Sequence, residues 1–152
     1  MNSVIELDEV LRTEAELTES LAEVLSEQQR SIVHSRAGEL RRLVERSEEL
    51  IHPIQGLERE RQRLARQLVA REAGSSPAGD NIAEAEELLD HLQCDDAALI
   101  GAGVRRLRAA SRAVLRINRL NMPLLKHAQQ FVKQTLRAAT DDYRKNLVDK
   151  KM

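Results

Sequence analysis

Aromatic residues are almost missing from this chain. Phe131 and Tyr143 are the only two, and there is no tryptophan. A thick globular core draws much of its bulk from aromatic rings, so their scarcity excludes one and points to a thin, elongated helical object. The single cysteine, Cys94, excludes an internal disulfide, and no Cys/His cluster has zinc-ligand spacing. No run of about 18 apolar residues occurs, which removes the hydropathy signature of a membrane-spanning helix. Residues 1–9 carry neither a basic n-region nor an apolar h-region. The expectation is a cytoplasmic protein without stable membrane insertion. Proline and glycine are scarce as well, three and six residues respectively, and three of these nine fall in one stretch, Gly74, Pro77 and Gly79.

What remains is charge and aliphatic repeat. Charged residues make up 32% of the 152, and Ala, Leu, Glu and Arg dominate, as in helical bundles and coiled coils. The net charge of −1 hides a strong segregation. Residues 1–29 sum to −7, 30–72 to +3, 73–103 to −7 and 104–152 to +10.

Read in order, the chain predicts one all-α domain over residues 1–152. Ser3-Val4-Ile5-Glu6 has the form of a capping box and opens a long helix expected at about 3–72. Val10, Leu17, Leu21, Val24 and Leu25 supply its first apolar stripe. Ile32, Arg36 and Leu40 follow at steps of four, a local stutter. From Leu40 the repeat runs through Leu43, Ser47, Leu50, Ile54, Leu57, Arg61, Leu64 and Leu68 in unbroken three–four alternation. Pro53 lies inside this run without shifting its register, which predicts a kink and not a reversal. Residues 73–81 (AGSSPAGDN) are the expected loop. A short helix at about 82–93 follows, and Asp95 or Asp96 is placed to cap a long C-terminal helix at about 96–147. Folding at 73–81 gives an elongated antiparallel hairpin, a coiled-coil-like bundle of two long helices broken into as many as five segments. Residue i would then lie near residue 152 minus i, with acidic 1–29 beside basic 123–152. So long a hairpin buries little per residue, so a partner helix or a homo-oligomer is expected.

Catalytic patterns are missing. Glu49-x-x-His52 has the spacing of a bundle metal-ligand pair, but the second pair and further carboxylates of a di-iron site have no counterpart. Gly101-x-Gly103 lacks the rest of a dinucleotide fingerprint, and no phosphate loop or nucleophile elbow occurs. No enzyme activity, cofactor or metal is expected. Arg105, Arg108, Arg112, Arg116 and Arg119 form a basic stripe that could meet phosphates. No aromatics interleave for base stacking, so a solvated face or an intramolecular partner is the favoured reading over a nucleic-acid surface.

The last helix has one conspicuous feature. Leu107, Ser111, Val114, Asn118, Asn121, Leu125, Ala128 and Val132 follow at steps of four and three, so two successive seam positions are amides. A buried amide without a partner costs about 1–3 kcal/mol. These residues carry a resemblance. Asn118-x-x-Asn121-x-x-Leu124-Leu125, followed by Val132, Leu136 and Tyr143, resembles the FlgN-type flagellar export chaperones. So does Leu40-x-x-Leu43, Leu50, Ile54 and Leu57-Glu58-x-x-Arg61 in the N-terminal half. Pro123 and the absence of a glycine shortly after Tyr143 depart from the pattern. The resemblance implies a cytoplasmic chaperone that binds the C-terminal amphipathic segments of hook-associated (hook–filament junction) proteins. It prevents their premature assembly and delivers them to the flagellar type III export apparatus, whose ATPase or gate components are further implied partners. It implies client contacts at Asn118, Asn121, Leu124, Leu125, Ala128, Val132, Leu136 and Tyr143. For the two amides, pairing with the first helix is the other reading. The competing functional classes are a structural coiled-coil or adaptor protein without an export client and, behind it, a helical nucleic-acid binder.

Overall fold

The computed structural model describes residues 3–73 and 88–151, apart from the side chains of 131, 132, 142, 143, 146 and 148–151. Helix α1 spans Ser3–Val33, α2 spans Ala37–Ala73 and α3 spans Cys94–Lys151. There is no strand among the described residues. The all-α, coiled-coil-like bundle is as expected, but the long helix at 3–72 is two helices that reverse direction at 34–36.

The reversal explains the stutter. The Arg36 N–H donates to the Ser31 carbonyl at 2.9 Å and the Ser35 N–H to the Ile32 carbonyl at 3.2 Å. This six-to-one and five-to-two pair is the Schellman cap, which needs a left-handed residue just past the helix end. Ser35 supplies it, with φ at 55°. The Arg36 carbonyl then accepts from the Leu40 N–H at 2.9 Å, which starts α2 at once. Serine has a Cβ and tolerates the left-handed region poorly, at about 1–2 kcal/mol. Ser35→Gly is therefore expected to stabilise the protein by about 1 kcal/mol and raise the melting temperature by about 2–4 °C. A thermal melt by circular dichroism checks this, and a lower midpoint would contradict the cap.

Both helix-internal prolines, Pro53 in α2 and Pro123 in α3, leave their helices continuous. Each lies on an exposed face, where water can serve the carbonyl that loses its partner. The expected loop at 73–81 lies outside the described residues apart from Ala73, the last residue of α2. Of the helix expected at 82–93, Leu88 and Leu89 are described as helical and lead into a turn. The Gln93 carbonyl accepts from the Ala97 N–H at 2.8 Å, so α3 begins slightly earlier than expected. Asp95 and Asp96 fall in its first turn, where they complement the helix dipole.

The side-chain pairs fix the helix directions. Arg71 bonds Ser3, Arg61 bonds Glu14 and the Gln28 amide bonds the Leu43 carbonyl, so α1 and α2 are antiparallel. Gly103 abuts Leu11, Arg106 bonds Glu19 and Asn121 bonds the Leu25 carbonyl, so α3 runs parallel to α1. This corrects the expected pairing of residue i with 152 minus i. The chain has already turned back once at 34–36, so α3 returns alongside α1 and not against it. Acidic α1 meets basic 103–121, not 123–152. The Ser3 hydroxyl accepts from Arg71 Nη1 at 3.3 Å, tying the start of α1 to the end of α2.

The core is a column of two apolar clusters. The first joins Leu7, Leu11 and Ala15 of α1 to Leu64, Leu68 and Val69 of α2 and to Ile100, Val104 and Leu107 of α3, with Leu88 closing it. The second joins Leu21 and Leu25 to Leu50 and Ile54 and to Val114 and Ile117. At Gly103 α1 and α3 approach closely, since a Cβ there would sit 3.2 Å from Leu11 Cβ. Between the clusters lies a polar layer. Arg61 Nε donates to Glu14 Oε2 at 2.8 Å, with both side chains almost fully buried. The buried Thr18 hydroxyl bonds the Glu14 carbonyl at 2.6 Å. The seam of α1 is thus Leu7, Leu11, Glu14, Thr18, Leu21, Leu25 and Gln28, in four–three alternation with polar members.

Candidate functional site

Helix α3 is 58 residues long against 31 for α1, about 87 Å against 46 Å at 1.5 Å per residue. With Asn121 level with Leu25, α1 ends near residue 129 of α3. From Gln129 onward every described side chain of α3 is exposed. The last part of α3, 129–151, is therefore a helical arm that projects past the α1–α2 turn.

Two stripes run along α3 where it leaves the bundle. The inner one is Val114, Ile117 and Asn121, followed by Leu124, Leu125 and Ala128, which are half-buried. The outer one is Leu115, Met122 and Leu136, at 55%, 61% and 63% exposure. These positions are seven and fourteen residues apart, so they share one face in a coiled-coil register. Three large apolar side chains left in water in one heptad register are the pattern by which helices recognise one another.

The two amides separate. Asn121 is 1% exposed and its Nδ2 donates to the Leu25 carbonyl at 2.7 Å. It is committed to α1, and the expectation that it faces a client does not fit this geometry. Its Oδ1 has no partner inside the bundle. Asn118 is exposed and lies beside the outer stripe. Three residues turn a helix by about 300°, so the drift of α3 around the bundle carries one amide inward and leaves the other outside. Leu136 is exposed on the arm, whereas the side chains of Val132 and Tyr143 lie outside the described residues. Leu115 and Met122 were not among the sequence candidates. Their signal is the seven-residue spacing to Leu136, hidden beside the stronger inner repeat.

The basic stripe on α3 is not uniform. Arg106, off the stripe, grips Glu19 of α1 through Nε at 2.8 Å and Nη2 at 3.0 Å. Those hydrogen bonds hold the Glu19 carboxyl below its usual range. Arg112, Arg116 and Arg119 line a shallow groove with Leu115 and Leu120. Glu49 and His52 are both exposed, and among the described residues no group of three or more His, Cys, Asp or Glu could hold a metal ion. No helix among the described residues is long and apolar enough to cross a membrane.

The family model described as FlgN protein matches residues 1–146. No curated protein and no solved structure matches the chain.

Proposed function

Because the chain belongs to the FlgN family of flagellar export chaperones, we propose that the open stripe of α3 receives the C-terminal amphipathic segment of a hook-associated protein. The observation that carries this is the overhang of α3 beyond α1, with Leu136 and the outer stripe exposed and without a partner helix among the described residues. Asn118, Leu124, Leu125, Ala128, Val132, Leu136 and Tyr143, joined by Leu115 and Met122, form the contact. The client segment lies along α3 as a helix, its apolar face against the stripe, and is thereby kept from assembling early. A disordered segment gives up conformational entropy when it orders on α3, which keeps the complex weak enough for release at the export apparatus. Asn118, at the edge of the stripe, fixes register by bonding a polar group of the client.

The test is co-expression of the full chain with the C-terminal segment of a hook-associated protein from the same cell. Co-purification at one-to-one stoichiometry is expected. Absence of a complex, with both proteins soluble, overturns the proposal. Export should report the same function: loss of the gene leaves hooks without filaments, whereas loss of a general scaffold would not single out that step.

A further inference from the structure

The groove formed by Arg112, Leu115, Arg116, Arg119 and Leu120 has a chemistry of its own. The three arginines sit at steps of four and three, so their guanidinium groups share one strip of α3. Leu115 and Leu120, 55% and 52% exposed, flank that strip on either side. Several arginines elsewhere are already paired. Arg12, Arg41, Arg46 and Arg63 each pair with an acid on their own helix, and Arg106 pairs with Glu19 across the bundle. Arg112, Arg116 and Arg119 have no such acid among the described residues.

We propose that this groove is a second docking site, for an acidic amphipathic helix of a protein partner. Three guanidiniums at helical spacing match carboxylates at the same spacing on a facing helix, and Arg binds carboxylates in a fork geometry that point charges lack. The flanking leucines give the partner apolar contact on both sides of the ionic strip. A phosphate surface would gain nothing from those leucines and would want polar neighbours or stacking rings. The inference rests on the arginine–leucine pattern; the groove shares Leu115 with the stripe proposed for the client, but Arg112, Arg116, Arg119 and Leu120 lie outside that stripe and the arm beyond residue 129 takes no part in it.

The experiment titrates the full chain into a fluorescein-labelled helical peptide of about five turns. Its glutamates lie at three- and four-residue spacing along one face and leucines flank them. The control peptide has lysine for every glutamate. The acidic peptide is expected to bind, and to weaken at least about tenfold between about 50 and 300 mM salt. The triple variant R112E/R116E/R119E alters only exposed residues and should keep its melting curve while losing at least about tenfold in affinity. L115A/L120A should lose about threefold or more without changing the salt dependence. No binding of the acidic peptide, or equal binding of the lysine peptide, overturns the proposal. So does duplex DNA that binds more tightly than the peptide and ignores L115A/L120A. A wild-type dimer in sedimentation that the triple variant abolishes would make the occupant a second copy and likewise overturn it.

Discussion

Glu14→Ala is expected to destabilise the bundle by about 3–5 kcal/mol, read as a fall in the urea midpoint with the slope unchanged. The cost comes less from losing the ion pair than from stranding its partner. Arg61 is 2% exposed, already has an unpartnered Nη1, and without Glu14 would hold a buried charge with no counter-ion. The double variant Glu14→Leu/Arg61→Met should recover the loss and end within about 1 kcal/mol of wild type or above it. If Glu14→Ala and the double variant lost equally, the pair would be contributing directly and not merely satisfying itself. The pH dependence separates the two further. Burial pushes the Glu14 carboxyl above its ordinary 4.5, outweighing the Arg61 hydrogen bond and charge that pull it down, and Glu58 adds to the rise. A raised folded-state pKa means that this group's contribution is fully present below 4.5 and is lost as pH rises through the raised value. Glu19 and Glu60 act in the opposite sense. Hydrogen bonds from Arg106 and Arg63 hold them low, so their contribution is present above 4.5 and fades as pH falls through the lowered values. The double variant should therefore gain on wild type as pH rises from about 4 to 7, in a series of urea midpoints. A constant difference across that range would contradict the raised Glu14.

Removing the arm is expected to weaken client binding strongly and leave the bundle intact. A chain ending at residue 128 loses only exposed described side chains, and both core clusters lie upstream. Its melting midpoint should stay within about 2 °C of wild type. Affinity for the C-terminal segment of a hook-associated protein should fall by more than about tenfold, some 1.4 kcal/mol. Leu136→Asp, a single exposed change, should cost a large part of that, because the aspartate would be desolvated against an apolar face. Asn121→Leu serves as the control. It replaces an amide with one orphaned atom by an apolar group, so stability should move by less than about 1 kcal/mol and client affinity should hold. A truncated chain that bound the segment as tightly as wild type would confine the client surface to residues 115–128.

The seam of α2 was readable from Leu40 to Leu68, and the structure turns those positions inward, with Ser47, Leu50, Arg61, Leu64 and Leu68 buried. The chain reversal was visible only as a stutter. A reversal normally advertises itself with glycine at the left-handed position, and Ser35 carries no such mark. The direction of α3 was beyond the charge pattern, since 104–122 and 123–152 are both basic and acidic α1 would suit either. The buried partner of Arg61 was legible in principle. Glu14 continues the alternation from Leu7 and Leu11 to Leu21 and Leu25, but a stripe sought only among apolar residues passes over it. The site was half legible. Asn118 and Leu136 are exposed on the stripe proposed for the client, while Asn121, three residues from Asn118, belongs to the bundle. Sequence spacing cannot resolve that split, because it depends on how far α3 has drifted around α1 by that turn.

The arm has a thermodynamic character that the bundle lacks. An isolated helix of its length would be marginal in water, because its first turn is costly to nucleate. Here α1 and α2 hold the preceding turns of α3 in place, so the nucleus is already formed and only propagation remains. Such a helix unzips residue by residue from the end far from the bundle and not all at once. Amide exchange should therefore show protection falling smoothly from about residue 129 toward 151 with no cooperative step. A bound segment would push that boundary outward, so the length of ordered arm becomes a graded readout of occupancy.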